Sequence, residues 1–156
     1  MELKRKPKHY YVENAIYFIT THTFNFEPIF SDPKLAEILY NKILEYKGLL
    51  EYNLHSFVIM PHHLHIMLDL PSKTNISYIM FRLKGSSSRE INKLRGVKSP
   101  IWQDRFYDHM IRDERDYVKH MDYIHFNPVK HGLVYKPEEW KWSSFLDCIN
   151  RRNSIS

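Results

Sequence analysis

Residues 57–70 read FVIMPHHLHIMLDL, and the reading of this stretch decides the fold. Two apolar runs flank Pro61-His62, a dipeptide suited to a tight turn. The pattern predicts a hairpin with strands over 53–60 (NLHSFVIM) and 63–70. Side chains alternate faces along a strand. His63 and His65 therefore point one way, beside Met67 and Asp69, while Leu64 points into the core. By the same alternation His62 faces away from His63.

Upstream, residues 15–22 (AIYFITTH) are β-branched and aromatic and read as a first strand. Asp32 and Pro33 read as N-cap and first helical residue. Leu35, Ile38, Leu39, Ile43 and Tyr46 then repeat at helical spacing up to Gly48. Downstream, Thr74 is expected to cap a helix carrying Ile76, Ile79, Met80 and Leu83 and continuing through Ile91 and Leu94. Gly85 and three serines weaken its middle. Residues 106–111 (FYDHMI) make a fourth strand. Asp113 caps a further helix with an apolar stripe of Tyr117, Val118, Met121 and Ile124, and an opposite face of Asp116, Lys119, His120 and Tyr123. Pro128 is expected to end it, since the residue before a proline is pushed out of the helical region, which leaves Asn127 at the helix end.

The order β-α-β-β-α-β plus an extra helix places the chain in the α+β class. It implies a ferredoxin-like antiparallel sheet with helices on one face and an additional C-terminal helix carrying Tyr123. A single domain is expected over 1–156, with a core of about 10–145, a basic N-terminal arm over 1–9 and a C-terminal tail over 146–156. The fold alone says nothing about chemistry.

Composition narrows the function classes. An apolar fraction of 43% is that of a folded protein. The one cysteine, Cys148, permits no intrachain disulfide, which fits a reducing compartment. No apolar stretch reaches membrane-spanning length, and the charged start MELKRKPKHYY lacks the apolar centre of a signal peptide, so a cytoplasmic protein is expected. The formal net charge of +5 suits a polyanionic partner. Basic residues crowd at Lys4, Arg5, Lys6 and Lys8, and again at Arg82, Lys84, Arg89, Lys93, Arg95 and Lys98. Abundant aromatics can fill a core or stack on unpaired bases.

The second informative stretch is YIHFNPVKHGLV, residues 123–134. Tyr123 and Asn127 are four apart and share one helical face. If that helix lies against the histidine strand, two imidazoles, an amide and a phenol converge. A lone histidine is more often structural, but two on one strand face, with apolar residues on the other, read better as a metal pair. No Cys-x-x-Cys or His-x-x-x-His set completes a four-ligand zinc finger. Most tyrosines are packing residues. Tyr123, however, sits on a polar face, where Lys119 or His120 can ease formation of a phenolate whose free pKa is about 10.

MPHHLH (60–65) followed by YIHFNPVKHGLV resembles the single-tyrosine transposases of the His-hydrophobic-His nuclease class, in particular the branch associated with repetitive extragenic palindromes (REP) in bacteria. The resemblance runs from about Tyr10 to Phe145 and includes IWQDRFYDHMIRDERD (101–116) and WKWSS (140–144). It implies that His63, His65 and Asn127 are metal ligands and that Tyr123 is the nucleophile. Residue 62 departs from the family pattern, which has Asn where this chain has His62. The implied reaction is nicking and strand transfer on single-stranded DNA through a 5′-phosphotyrosine, acting on hairpin DNA with a flanking tetranucleotide. The implied cofactor is Mg²⁺ or Mn²⁺, although two imidazoles alone would favour a softer ion. The partner is single-stranded or hairpin DNA, contacted by the basic residues at 4–8 and 82–98, with the protein acting as monomer or homodimer at the nucleoid. The alternative is a domesticated nucleic-acid-binding module on the same scaffold that no longer cuts. A hydrolase of small phosphoesters is disfavoured by the basic surface.

Overall fold

The computed structural model describes residues 14–70 and 74–154. Among the described residues there are four strands and four α-helices, the first seven of these elements in the expected order. They are β1 (Ile16–His22), α1 (Pro33–Leu50), β2 (Asn53–Met60), β3 (His63–Asp69), α2 (Ile76–Arg95), β4 (Tyr107–Met110), α3 (Glu114–Lys130) and α4 (Phe145–Ser154). The sheet order is β2-β3-β1-β4 with every neighbour antiparallel, the ferredoxin-like arrangement. The stretch expected to be a C-terminal tail carries α4.

Strand alternation divides the interior in two. Tyr17, Ile19, Phe57, Ile59, Leu64, Ile66 and Leu68 face α1 and α2, whose Leu39, Ile43, Ile79 and Leu83 complete the larger core. Phe18, Val58, Met60 and Met67 face the other way and meet Met121 and Ile124 of α3. The sheet is thus covered on both faces, not on one. α3 packs mainly over β2, which leaves the β1–β3 portion of its face open.

Outside neighbours protect the edge of β2. Ile59 N–H donates to Trp142 O at 2.8 Å, and Ser144 N–H donates to Phe57 O at 3.0 Å, so the WKWSS segment covers backbone groups that would otherwise invite pairing. A register shift between Leu54 and Ser56 displaces His55. Its ring lies 3.0 Å from Asp69 Oδ2 and 3.0 Å from the Tyr117 hydroxyl, which ties α3 to the hairpin.

The helix ends hold most of the corrections to the sequence reading. Asn75, not Thr74, caps α2 by accepting the Tyr78 N–H at 2.8 Å. The serines in α2 do not break it, because Ser87 is buried and accepts the Trp102 indole N–H at 3.0 Å. Pro128 does not end α3. Proline lacks the N–H that would bond back one turn, but here the helix continues past it to Lys130. Gly132 then turns the chain at φ 72°, and Leu133 N–H closes the end onto Pro128 O at 2.9 Å. Asn127 is therefore a helical residue, 1% exposed, with its direction fixed. Val118, expected in the apolar stripe, is 49% exposed, whereas Asp116, expected on the polar face, is buried.

Asp113 caps α3 as expected, its Oδ1 accepting the Asp116 N–H at 2.8 Å. Asp113→Ala should cost about 1 kcal/mol, a melting-point drop of roughly 3 °C, because one orphan helix donor loses its acceptor. Thermal unfolding followed by circular dichroism checks this, and an unchanged midpoint would refute it.

Candidate active site

β1 and β3 pair so that His22 opposes His63 and Thr20 opposes His65. All four side chains lie on the open part of the α3 face. His63 and His65 are buried, with ring centroids 4.6 Å apart. His65 Nδ1 lies 2.7 Å from the Thr20 hydroxyl, so Nε2 is its remaining nitrogen. A partner on one ring nitrogen fixes tautomer and ring orientation, as for many metal-binding histidines. Above them, α3 supplies Asn127, whose Oδ1 is 3.3 Å from His63 Nε2. One turn earlier it supplies Tyr123, whose ring is 5.2 Å from that of His65 and 5.9 Å from that of Phe18. Tyr123 is 40% exposed at the cleft.

The donor set fits a divalent cation. Two ligands about 2.1 Å from one octahedral ion stand about 3 Å apart, close to the His63–Asn127 separation. With the His63 proton on Nδ1, Nε2 and Oδ1 present two lone pairs to one point. Among the described residues Asn127 Nδ2 is buried without a partner, so the contact of Oδ1 with His63 is the one that holds the amide. Burial first, then the neighbouring His62, pushes His63 down to about 4. Burial, then His63, pushes His65 down to about 2. Both imidazoles are neutral near pH 7, the form that binds metal.

The cleft has a volume of about 870 Å³ and also takes in His62, Tyr107, Lys119, His120, Phe126 and His131. His62 is a correction. Strict alternation does not hold through the turn, and its ring stays on the cleft, 4.7 Å from that of His63 with the two Nδ1 atoms 3.1 Å apart. Lys130 holds its ammonium 5.3 Å over the Tyr123 ring. Neither Thr20 nor His22 was singled out from the sequence. Their spacing of two on β1 is a signal, but it needs the β1–β3 register before it points anywhere. His109, Asp116 and His120 form a further group whose donor atoms lie within 4.8 Å of one another.

The expected DNA-contacting residues do not share this cleft. Lys4, Arg5, Lys6 and Lys8 lie outside the described residues. The remainder are on α2, across the sheet from the cleft, apart from Lys98, which lies just past its end. Arg82 is spent on Tyr46 and Tyr78, donating to the Tyr78 hydroxyl at 2.8 Å. Lys84 donates to Gln103 O, and burial holds its pKa below the ordinary lysine value. Arg89, Lys93 and Arg95 are exposed. Arg89 and Lys93 border a groove with Lys42, which is itself paired with Glu45 and Glu90.

A split βαβ sheet thus carries a histidine pair on its open face with a tyrosine-bearing helix laid over it, as the resemblance to single-tyrosine transposases implies. Comparison with known proteins agrees. The family described as "Transposase IS200 like" matches residues 11–127. A REP-associated tyrosine transposase of Escherichia coli K12 is 30% identical over 144 residues, covering 92% of this chain and 84% of that protein. A Haemophilus influenzae protein provisionally named as a REP-associated tyrosine transposase is 40% identical over 97 residues, 56% of this chain and 55% of its own length. The solved structure of a REP-associated tyrosine transposase bound to a REP hairpin superposes with a TM-score of 0.80 at 29% identity, covering 94% of this chain and 86% of that one. The chain belongs to the IS200-like transposase family, in its REP-associated branch. Among the described residues no helix is long and apolar enough to cross a membrane.

The depressed histidines make stability depend on pH. Above about 6.5 folded and unfolded chains both carry neutral imidazole. Between 6.5 and about 4 the unfolded chain takes up a proton that folded His63 refuses, so stability falls as pH falls. In chelator, the melting temperature of the parent should drop more steeply over this window than that of His63→Gln. Parallel curves would refute the assignment.

Proposed function

We propose that this transposase nicks and rejoins single-stranded DNA next to a hairpin, through a covalent 5′-phosphotyrosine on Tyr123, in the bacterial cytoplasm. The observation that carries the reading is the convergence of β3 and α3: His65 and Tyr123 rings 5.2 Å apart, with His63 Nε2 facing Asn127 Oδ1 at 3.3 Å. In this reading His63, His65 and Asn127 hold a divalent ion, Mg²⁺ or Mn²⁺. When bound, the ion supplies Lewis-acid polarisation of the scissile phosphate.

The chain's own residues do the rest. Thr20 keeps the His65 ring in place through its 2.7 Å contact. Phe18 packs edge-on against Tyr123 and restricts its swing. Lys119 and Lys130 stand at the cleft and beside the tyrosine, where a DNA phosphate arrives. The Tyr123 oxygen attacks phosphorus in line, the Oη–P bond forms as P–O3′ breaks, and a 3′-hydroxyl is released. Attack by a second 3′-hydroxyl on the phosphotyrosine reverses the exchange and joins strands, so no nucleotide is consumed. The hairpin partner rests on the E. coli and H. influenzae relatives and on the hairpin in the superposed structure. The exposed Arg89, Lys93 and Arg95 and the arm residues Lys4, Arg5, Lys6 and Lys8 are the proposed backbone contacts outside the cleft.

Tyr123→Phe should abolish the covalent adduct on a single-stranded oligonucleotide while DNA binding stays within about twofold. His63→Ala, His65→Ala and EDTA should each suppress the adduct, with Asn127→Ala milder, because an amide oxygen is a weaker ligand that water can replace. Denaturing gels read the result. An adduct persisting in the Phe variant would place the nucleophile elsewhere, and one persisting in chelator would remove the metal.

Hairpin-bearing single strands should bind more tightly than a duplex of the same sequence. Their affinity should fall with salt at a log–log slope of roughly −0.7 per phosphate contacted. Fluorescence anisotropy across a salt series measures both. Equal affinity for duplex, or insensitivity to salt, would count against the reading.

A further inference from the structure

The proposed reaction leaves one proton unassigned, that of the Tyr123 hydroxyl. His120 is three residues earlier on α3, on the same face, and helical side chains lean toward the N-terminus. The phenol of Tyr123 therefore leans back over the turn that carries His120. Both side chains line the one cleft, and both rings pack on Phe18, at 4.8 Å for His120 and 5.9 Å for Tyr123.

The hydrogen bonds of His120 fix its tautomer. Its Nδ1 is 2.8 Å from the main-chain oxygen of Asp116 and 3.2 Å from Asp116 Oδ1. A peptide carbonyl only accepts, so Nδ1 carries the proton and Nε2 keeps a lone pair. Asp116 is buried, and its Oδ2 accepts from His109 Nε2 at 2.8 Å and from the Arg112 N–H at 3.0 Å. The Arg112 backbone N–H first, then His109, hold its carboxyl well below the usual range, so it stays anionic and accepts from the imidazole N–H beside it. His109, Asp116 and His120 have the residue types of a metal site. However, His120 commits Nδ1 to a carbonyl and His109 commits Nε2 to the carboxylate. That is the bonding of an oriented acid–base pair, in which a carboxylate holds an imidazole with its outer nitrogen free.

We propose that His120, positioned by Asp116, accepts the Tyr123 hydroxyl proton during strand cleavage and returns it during rejoining. The inference rests on the function proposed above. In cleavage the Oη–P bond forms and P–O3′ breaks. The Oη proton passes to His120 Nε2, directly or through one water, and the departing 3′-oxygen takes a proton from solvent. In rejoining, the incoming 3′-hydroxyl loses its proton to solvent and attacks phosphorus. The P–Oη bond breaks, and the tyrosine oxygen retakes the proton from His120. The charged and titratable groups around His120 are Asp116, Lys119, Asp122 and Tyr123 on its own helix, His109 and Tyr107 on β4, Arg112 in the connecting loop through Asp116, and His65 on β3.

The test is the rate of adduct formation by the full chain on a hairpin-bearing single strand, measured against pH with Mg²⁺ present. His120→Gln should lower the rate near neutral pH by about 10²–10⁴-fold and remove the acid limb of the profile, with DNA affinity unchanged. Added imidazole should restore part of the rate in His120→Ala, which a purely structural role does not allow. An adduct formed by His120→Gln at the parent's rate with the parent's profile, or no imidazole rescue of His120→Ala, overturns the proton role alone. Failure of the parent itself to form any adduct overturns the cleavage reading and this inference with it.

Discussion

The site depends on the antiparallel register of β1 against β3. Thr20 opposite His65 and His22 opposite His63 place four polar side chains on one face of the sheet's two central strands. A strand repeats its faces every two residues, so a one-residue slip would send His63 and His65 into the core beneath α1 and α2 and bring Leu64 and Ile66 out. The core forbids that slip. Leu64, Ile66 and Leu68 are buried in the larger cluster, and each fully buried aliphatic side chain contributes about 1.5–3 kcal/mol. The apolar residues between the histidines thus do as much to aim the imidazoles as the histidines' own contacts do.

α3 supplies the other half of the site and is fixed at several points. Asp113 caps its start, Met121 and Ile124 pack it on Phe18, Val58, Met60 and Met67, and Tyr117 is tied to the hairpin through His55. Because the helix runs unbroken through Pro128, Asn127 and Tyr123 keep the one-turn spacing that puts the amide over His63 and the phenol beside His65. Proline has no N–H to give the carbonyl one turn back, so the helix end is held by the bonds that do form, His131 N–H to Asn127 O at 3.0 Å and Leu133 N–H to Pro128 O at 2.9 Å.

Much of this was legible in the sequence, for physical reasons. Period two over 53–70 and helical periodicity over 33–50 and 114–124 are set by burial, which local composition reports directly. The hairpin at Pro61-His62, the caps at Asp32 and Asp113, and the shared face of His63 and His65 all follow from such local rules. What failed depended on tertiary context. Pro128 reads as a stop because a proline's effect on its predecessor is local, whereas the packing that carries α3 past it is not. His62 was placed by alternation, a rule that lapses in a turn. Thr20 and His22 had no visible role until β3 lay beside β1. Arg82 and Lys84 read as free cations because the partners that occupy them, Tyr46, Tyr78 and Gln103, are distant in sequence or one turn away.

The electrostatics of the cleft follow from the same packing. Burial that neutralises His63 and His65 keeps them available as ligands, so the site's positive charge comes from Lys119 and Lys130 beside the tyrosine and not from the imidazoles. In the proposed reading, a phosphodiester entering between them meets cations at the rim and lone pairs at the floor. The floor therefore gains from a metal ion in a way the rim does not. Asp116, about two turns before the tyrosine, is buried and bonded to the Arg112 N–H, His109 and His120. Its negative charge is spent on orienting a neighbouring imidazole and not on repelling DNA. In the proposed reading, that division of charge lets α3 present a nucleophile, an amide ligand and a base within three turns.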